Sequence, residues 1–383
     1  MVKLKDVGKI ITGNTPKTSE KENYESNDIC FIKPSDIEDD SITYIEETEN
    51  FIAEFAREKA RILPVNSVLV TCIGIIGKIG INKIECAFNQ QINAIVPNEE
   101  ICLAQYLAYA IKSKKILLQN MANAPVVPIL NKTQFADVEI KIVDLKEQEC
   151  IVEKLSQIEK VIIRRKQQLQ KLDELVKARF VEMFGDLKSG TCHCSVLKLK
   201  DLSYKISDGV HAKPNYTDNG KPFLSVVNIN KRKVDFTDCK YVSEEDYAKM
   251  IKSTHPQKGD VLYTKVGATY GIPAYIDTEE DFCLYVSVCL IKPIHEKINS
   301  RFLAIQMDMP FVKHQADSRI KGIGVPDLHL NQIREFDIIC PERKLQNQFV
   351  DFVEQIDKSK LSVQKSLEKL ETLNKALMQK YFG

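Results

Sequence analysis

Two enzyme motifs are missing from the 383-residue sequence. It has no Pro-Pro dipeptide, which excludes the proline-rich catalytic tetrapeptide of an amino-methyltransferase. It also has no Gly-x-x-x-x-Gly-Lys-Ser/Thr loop, which excludes the phosphate-binding loop of a nucleotide-driven motor. We therefore expect the chain to have no catalytic site of either kind.

Long apolar runs are missing too. The most apolar stretches, such as residues 67–81, contain Lys or Gly and are shorter than the roughly 20 residues that span a membrane. The N-terminal residues are polar and are not followed by the apolar core of a signal peptide. We therefore expect a cytoplasmic protein that does not bind a membrane.

Positive charge is almost balanced by negative charge. The chain has 54 Lys and Arg against 53 Asp and Glu, for a net charge of +1. Residues 1–145 carry 16 basic and 20 acidic side chains, and residues 187–341 carry 21 and 19. The whole chain is therefore not polybasic, and any binding to nucleic acid would depend on local clusters of Lys and Arg.

Cysteine is present but is not arranged for cross-linking. The eleven Cys are odd in number and mostly lie singly within apolar segments, which favours reduced thiols over a disulfide framework. Cys192-His193-Cys194 is the one cluster. A structural zinc site usually needs four ligands, and no second pair stands nearby at ligand spacing, so we predict no metal site.

The second half of the chain repeats the first. Residues 148–185 align without a gap on residues 346–383, at a constant offset of 198. Pro128 and Leu130 match Pro326 and Leu328 at the same offset. Farther upstream, residues 68–71 resemble residues 261–264, with small gaps. The order along the chain is therefore domain, helix, domain, helix.

Each repeated C-terminal segment has apolar residues at alternating spacings of four and three, which predicts a coiled-coil seam. The apolar seam residues are Ile151, Leu155, Ile158, Ile162, Leu169 and Leu172 in the first segment, and Phe349, Val353, Ile356, Val363, Leu367 and Leu370 in the second. We predict that the two helices pair antiparallel within the chain. The alternative is that each helix packs on its own domain.

Large side chains outside the seam leave a second question open. They are Phe180, Met183 and Phe184 in the first helix, and Tyr381 and Phe382 in the second. They would either dock a partner subunit or pack on the neighbouring domain.

The segments between the helices combine short apolar strands with some helix. Residues 29–32, 67–71 and 92–96 are bounded by turn residues and predict strands, whereas residues 104–111 have helical character. We predict an α+β protein with mixed α/β domains at 1–145 and 187–341, followed by helices at 146–186 and 342–383.

Local patterns in the two halves resemble one family, the specificity subunits of type I restriction-modification systems. The first half has Gly13-Asn14-Thr15-Pro16, then residues 31–37, Gly74-x-x-Gly77-Lys78 and residues 89–95. The second half has residues 208–216, 220–224 and 227–229, then Gly267-x-x-x-Gly271. Each pattern is weak alone, but their order, repeated before a long helix, covers essentially the whole chain.

The resemblance implies a non-catalytic subunit in which two target-recognition domains each read half of a bipartite site in double-stranded DNA. The helices would set the spacing and dock two modification (methyltransferase) subunits, and restriction/translocase subunits would join for cleavage. S-adenosylmethionine would bind in the methyltransferase and no cofactor in this chain. Because the loops of the two halves differ, we predict an asymmetric site.

Base edges are read by amides, hydroxyls and cations, and phosphates are neutralised by Lys and Arg, so we sought such residues in the loops. In the first half the predicted DNA-binding residues are Lys17, Lys33, Ser35, Lys78, Asn89, Gln90 and Gln91. In the second half they are His211, Lys213, Asn228, Lys231, Arg232, Lys265, Tyr270, Arg319 and Lys321. For every one, the alternative is an ordinary solvated or turn-forming role.

Two other classes of function were weighed. Asp137, Glu139 and Lys141 superficially resemble a metal-dependent nuclease signature, but the aligned second-half segment 335–339 lacks the lysine, so an alternating edge strand explains both. A coiled-coil adaptor that binds protein rather than DNA is favoured slightly by the neutral charge and disfavoured by the loop patterns.

Overall fold

The structure is a computed structural model that describes residues 1–122, 127–211, 214–230, 232–320 and 324–383. It divides into two compact units. Unit 1 comprises Met1–Gln167 and Gln364–Gly383, and unit 2 comprises Gln168–Val363. The two long helices each begin in one unit and end in the other.

Unit 1 contains eleven strands among its described residues: β1 Val2–Lys3, β2 Gly8–Thr12, β3 Ile29–Ile32, β4 Ile42–Ile45, β5 Phe51–Ile52, β6 Ile62–Leu63, β7 Val68–Thr71, β8 Ile79–Asn82, β9 Cys86–Phe88, β10 Ile92–Pro97 and β11 Glu139–Ile140. Its shorter helices are α1 Leu4–Val7, α2 Ala104–Ser113, α3 Lys115–Met121 and α4 Lys132–Ala136. The strands form a five-stranded sheet, β2-β10-β7-β8-β4, a four-stranded sheet, β5-β3-β9-β6, and the pair β1-β11.

The five-stranded sheet is buried on both faces, which explains why β7 is a continuous apolar run. Val68 and Val70 face a core that includes Tyr106 of α2, whereas Leu69, which points to the opposite face, packs with Phe88 of the second sheet. The strands predicted at 29–32, 67–71 and 92–96, and the helix at 104–111, are confirmed within one or two residues.

The first long helix, α5 Leu145–Phe184, runs from unit 1 into unit 2. Unit 2 then has β12 Val196–Lys198, β13 Ser203–Asp208, β14 Lys221–Leu224, β15 Ile229–Asn230, β16 Lys233–Val234, β17 Lys240–Val242, β18 Val261–Thr264, β19 Pro273–Tyr275, β20 Cys283–Leu284, β21 Val288–Pro293 and β22 Asp337–Ile339. Its helices are α6 Glu244–Met250, α7 Ser300–Met307, α8 Pro310–Asp317, α9 Leu330–Arg334 and α10 Arg343–Phe382, the last of which ends in unit 1.

Unit 2 repeats the layered plan of unit 1. Its sheet β13-β21-β18-β19 has the order of four strands of the five-stranded sheet, and β17-β14-β20 takes the place of the second sheet. Val261 and Tyr263 of β18 face the core beneath α7, whereas Leu262 packs with Leu284 of the smaller sheet. The α+β fold with two mixed α/β domains and long helices is thus confirmed.

The long helices each contain 40 residues with no Gly or Pro, and span about 60 Å at a rise of ~1.5 Å per residue. The twelve predicted seam residues are all withdrawn from solvent. Seven are buried and five are half-buried, in contrast to the exposed charged residues between them. Each long helix therefore has an apolar stripe along the side that packs, with exposed charged residues between the seam positions in the sequence.

Within unit 1, the end of α10 runs antiparallel to the start of α5. Phe382 is buried in the same core as Ile151, and its ring centroid lies 5.2 Å from that of Tyr106. Farther along, the ammonium of Lys166 lies 3.5 Å from a carboxylate oxygen of Glu371. Ile151, early in α5, therefore shares a core with Phe382 at the end of α10. Lys166, later in α5, lies beside Glu371, which comes earlier in α10.

Unit 2 shows the reciprocal arrangement. Phe180 and Phe184, near the end of α5, pack edge-to-face on Phe349 near the start of α10, with centroids 5.4 and 5.6 Å apart. Lys360 donates a hydrogen bond to Asp173 at 2.6 Å. For Phe180, Phe184 and Phe382, packing on a domain is therefore what the structure shows, since each is buried in the core of the unit where its helix ends.

Candidate nucleic-acid interface

In unit 1, several loops meet at one end of the five-stranded sheet. The antiparallel register pairs Thr12 with Asn93 and Thr71 with Ile92, so β2 and β7 end where β10 begins. The parallel strands β3 and β9 end next to them, and the loop after β9 is tied to β3 by a backbone hydrogen bond from Asn89. We name this surface the unit 1 loop face: residues 13–18, 33–37, 72–78 and 89–91.

Unit 2 presents the matching loops at the same end of its sheet. The register pairs Asp208 with Cys289 and Thr264 with Val288, so β13 and β18 end where β21 begins. The short 3₁₀ turn after β14, Val226–Asn228, matches the turn Pro34–Asp36 after β3. We name this surface the unit 2 loop face: residues 209–211, 225–228, 265–272 and 285–287.

The two loop faces share individual backbone hydrogen bonds. The residue after β7 or β18 donates to the loop before the central strand and accepts from the segment that follows the helices. The paired bonds are Cys72 N to Gln91 O (2.7 Å) and Lys265 N to Ser287 O (3.0 Å), and Leu130 N to Cys72 O and Leu328 N to Lys265 O (both 2.9 Å). The two units therefore share one backbone scaffold at these loops, although the side chains on that scaffold differ.

A glycine begins each loop face because the chain passes against a neighbouring carbonyl. A Cβ atom at Gly13 would lie 2.0 Å from the backbone oxygen of Asn89, and one at Gly209 would lie 2.2 Å from that of Leu284. Neither distance can accommodate a side chain. The Gly-Asn-Thr-Pro and Asp-Gly patterns of the sequence therefore mark the same close approach in both halves.

Four of the predicted DNA-binding residues extend into solvent from the loop faces. In unit 1 they are Lys17, Ser35 and Gln90, and the hydroxyl of Thr15 donates to the side-chain oxygen of Gln90 at 2.5 Å. In unit 2, the side chain of His211 is 77% exposed. Because these side chains are exposed, a ligand that approaches this end of the sheet would meet them.

Four others in unit 1 brace the loops. Lys33 donates to the side-chain oxygen of Asn50 at 2.5 Å. Lys78 donates to the backbone oxygens of Pro34 and Ile37 at 3.2 and 2.8 Å and so holds the turn between them. The Pro34 oxygen also accepts from the backbone N–H of Ile37 at 3.4 Å, so the Lys78 ammonium adds to the turn's own hydrogen bond.

The amides Asn89 and Gln91 are likewise committed to the loop. Asn89 is only 7% exposed and donates to the side-chain oxygen of Gln91 at 2.9 Å, while its own oxygen accepts from the Gln91 backbone at 3.1 Å. Of the three adjacent amides, Gln90 alone has an exposed side chain. The sequence alone does not show which of the three amides is exposed, because the conformation of the turn decides which side chain faces solvent.

In unit 2, Asn228 and Arg232 are also engaged within the protein. Asn228 is buried, accepts from the Ser225 backbone at 3.0 Å and donates to the Asp235 backbone at 3.2 Å. Arg232 forms an ion pair and a hydrogen bond with Asp308. Asn228 thus caps its turn as Asp36 does in unit 1.

Tyr270 of the unit 2 loop face and Arg319, just after α8, are also engaged within the protein. The hydroxyl of Tyr270 donates to Asp317 at 2.5 Å, and the ammonium of Lys313 lies 3.3 Å from the centre of the Tyr270 ring. Arg319 donates to the backbone oxygens of Gln315 and Glu335 at 2.7 and 3.2 Å. The predicted residues Lys213, Lys231 and Lys321 lie outside the described residues.

Lys265 is the most deeply placed of the predicted residues. Its side chain is 6% exposed, and its ammonium lies 3.4 Å from Asp208 Oδ1 and 3.8 Å from Asp327 Oδ1. Burial raises the pKa of Asp208, and the positive charge of Lys265 opposes that rise. Unit 1 has the neutral residues Thr12 and Cys72 at the matching positions of its strands.

The search for polar side chains missed two kinds of residue on or beside the loop faces. One kind is apolar and exposed: Ile75, Val227 and Val325. Val227 holds the position of Ser35 in the repeated turn, so aligning the halves identifies it, whereas composition does not. The other kind is acidic, Asp208 and Asp327, which a search for DNA contacts passes over because DNA repels acids.

Asp137, from the nuclease-like sequence pattern, forms ion pairs with two lysines. Asp137 accepts hydrogen bonds from Lys5 and Lys3 at 2.8 and 3.0 Å, and Lys5 first, then Lys3, lower its pKa. No group of three or more His, Cys, Asp or Glu able to hold a metal ion occurs in the described part of the chain.

Of the described helices, none is both long and apolar enough to cross a membrane.

The fold and its loop faces define a recognition protein built from two copies of one scaffold. The family described as the type I restriction modification DNA specificity domain matches residues 1–174 and 194–372. The chain therefore belongs to that family, and the prediction of a type I specificity subunit is confirmed.

Known relatives resemble the chain over nearly its full length. The MjaIX type I restriction enzyme specificity subunit of Methanocaldococcus jannaschii is 25% identical, with 99% of this chain and 91% of that protein covered. The crystal structure of the S subunit from M. genitalium gives a TM-score of 0.54 at 13% identity and covers 100% and 95% of the two chains. A structure from work on assembly and conformational transition of the type I system gives 0.59 at 16% identity and covers 99% and 96%. At these identities the two structures support the fold alone.

Proposed function

We propose that each loop face reads one half of a bipartite, asymmetric site in double-stranded DNA, while this chain performs no catalysis. The observation that carries the proposal is the repeated set of loop hydrogen bonds on which the two units carry different side chains. A repeated scaffold brings two similar surfaces to a ligand, and unlike side chains on those surfaces select unlike sequences.

Direct contacts in this proposal come from the exposed side chains. Lys17 neutralises a phosphate, Ser35 and Gln90 reach base edges, and His211 acts from the unit 2 loop face. The braced residues, such as Lys33, Lys78, Asn89, Asn228 and Lys265, hold the loops in position. Ile75 and Val227 add apolar surface suited to the methyl group of thymine.

The partners in this proposal are two modification (methyltransferase) subunits and the restriction/translocase subunits of a type I complex. Support comes from apolar residues that remain exposed on the long helices away from the seam, such as Val161, Ile163, Leu175, Val181, Leu361 and Leu373. S-adenosylmethionine binds in the methyltransferase. A cytoplasmic location follows from the ligand, host DNA.

The spacer in this proposal is the antiparallel coiled coil of α5 and α10. Support comes from the antiparallel contacts found in each unit and from the buried seam. Recognition domains at 1–145 and 187–341, with spacer helices at 146–186 and 342–383, remain the functional division that we propose.

The test uses the complex of this chain with its methyltransferase subunit and duplexes that carry its methylation motif. Gln90→Ala is expected to relax base selection only in one half of the motif, and His211→Ala only in the other. Glu99→Ala, at an exposed unit 1 residue that follows the end of β10 opposite the loop face, serves as the control. Both loop variants acting on the same half would contradict the proposal, and absence of salt-sensitive binding to any duplex would favour the adaptor.

A further inference from the structure

Three ionisable side chains of unit 2 lead from the core to the loop face. Lys265 is 6% exposed, Asp208 is 14% exposed and His211 is 77% exposed. The two carboxylate oxygens of Asp208 face in different directions. Oδ1 lies 3.4 Å from the Lys265 ammonium, and Oδ2 lies 3.8 Å from Nε2 of His211.

The scaffold itself does not require these charges. Unit 1 makes the same backbone hydrogen bonds around Cys72 that unit 2 makes around Lys265, and its strand β2 ends in Thr12 where β13 ends in Asp208. Removing a Lys–Asp pair from water has a desolvation penalty that attraction between the charges often fails to offset. A charged pair at this position therefore needs a reason other than fold stability.

The hydrogen bonding of the pair is also incomplete. Asp208 Oδ1 is buried and has no hydrogen bond to any residue that the structure describes, although the ammonium of Lys265 is near. The backbone around it is firmly held, since the hydroxyl of Thr254 donates to the Asp208 carbonyl at 2.5 Å. Within this frame the carboxylate lies between the Lys265 ammonium and the His211 imidazole.

We propose that Lys265 and Asp208 are positioning residues for His211, which contacts the DNA at the half-site read by unit 2. Lys265 keeps Asp208 ionised, and the Asp208 carboxylate orients the imidazole through Nε2–H. In the doubly protonated ring, Nδ1–H is then directed outward and donates to the DNA. The ligand atom is a hydrogen-bond acceptor of the duplex, either the N7 or O6 edge of guanine or a phosphate oxygen. This inference rests on the proposed function.

The experiment measures Kd of the assembled complex with its methyltransferase subunit for duplexes that carry the motif. His211→Ala is expected to weaken binding about tenfold, a typical value for one lost base or phosphate contact. Asp208→Asn and Lys265→Met are expected to give similar losses. The double variant Asp208→Asn/His211→Ala should lose no more than either single variant, within about twofold, because the pair acts through His211.

Two controls separate positioning from stability. Glu279 pairs with Lys258 at 2.9 Å at the end of β18 and β19 opposite the loop face, so Glu279→Gln should leave Kd within about twofold of wild type. The exchange Asp208→Thr/Lys265→Cys installs the neutral residues of unit 1. It should retain the melting temperature and the discrimination of the half-site read by unit 1, yet show the tenfold loss.

Salt dependence identifies the acceptor. If His211 meets a phosphate, His211→Ala weakens all duplexes equally and lowers the slope of log Kd against log salt by about one charge; if it meets guanine, discrimination at one base pair is lost. Additive losses in the double variant, or wild-type affinity in the exchange variant, would overturn the positioning role of Lys265 and Asp208 but not the proposed function. A wild-type complex that selects no duplex would overturn the proposed function, and the positioning role with it.

Discussion

Unit 1 and unit 2 share a set of loop hydrogen bonds but differ in the side chains at the centre of that set. Each uses the residue after a buried strand to join three loops, but that residue is Cys72 in one and Lys265 in the other. Burial raises the pKa of the Cys72 thiol to about 11, so unit 1 has a neutral group where unit 2 has a buried charge. Backbone bonds fix the shape of the loop face, and side chains are free to change its chemistry.

The largest expected effect concerns the aromatic residues that hold the long helices in each unit. Phe180 packs against four rings in unit 2, whereas Phe382 packs against one in unit 1. Phe180→Ala should lower the free energy of unfolding by about 4 kcal/mol and Phe382→Ala by about 3 kcal/mol. Urea denaturation measures both.

Val181→Ala is the control for this comparison, because Val181 is exposed next to Phe180 and should cost less than about 0.5 kcal/mol. If Phe382→Ala proved the more damaging of the two, the aromatic cluster would not be the stronger attachment, and the contrast between the units would be reversed.

The next effect concerns the close approach that both loop faces share. Gly13→Ala and Gly209→Ala each place a Cβ against a backbone oxygen, and each should lower the unfolding free energy by about 3 kcal/mol. Gly324→Ala, where a Cβ would meet no atom of the described residues within 4 Å, is the matched substitution. A large loss at only one of the two glycines would show that the scaffolds differ.

A smaller and nearly equal pair of effects is expected at the starts of the long helices. Gln148 accepts from the Leu103 backbone and donates to Ile101 and Val143, and Gln346 makes three corresponding backbone bonds in unit 2. Replacing either with Leu leaves buried backbone groups unpaired and should cost about 2 kcal/mol.

The exposed Gln157→Leu provides the baseline for these two variants. Thermal unfolding of all three proteins would reveal the difference. Equal losses at Gln148 and Gln346 would show that the two units repeat even the role of this single side chain. A loss at only one of them would show that the units differ here.

The smallest effects are expected at the ion pairs between the long helices. Glu371→Gln in unit 1 and Asp173→Asn in unit 2 remove partners of Lys166 and Lys360. Both carboxylates are substantially exposed, so each substitution should cost less than about 1 kcal/mol and less still in high salt. A loss of several kcal/mol measured by urea denaturation at either site would mean that charge rather than the apolar seam holds the helices.

Much of the fold could be predicted because its signals are local and repeated. The alternation of β7, with Val68 and Val70 on one face and Leu69 on the other, appears as a continuous apolar run, and the seam of α5 appears as a heptad pattern. The sequence does not decide where the C-terminal ends of α5 and α10 pack, because Phe180 and Phe382 are equally suited to a domain core and to a partner surface.

The site was less predictable because burial is decided by tertiary structure. Asn89, Gln90 and Gln91 form one polar run, yet only Gln90 extends into solvent, since the turn directs its neighbours inward. Lys265 is of a residue type that often contacts phosphate, but its side chain is buried and its ammonium lies near the carboxylates of Asp208 and Asp327. Asp208 is missed because a search for DNA contacts excludes acidic residues, although it lies between Lys265 and His211.

The most direct test of the two-reader account is to map methylated adenines in cells that express this chain with its methyltransferase subunit, before and after residues 1–145 are replaced by another recognition domain. The account predicts a bipartite, asymmetric motif that disappears when this chain is deleted, and a replacement that alters one half of the motif while leaving the other intact. A continuous motif, or a replacement that changes both halves, would contradict it.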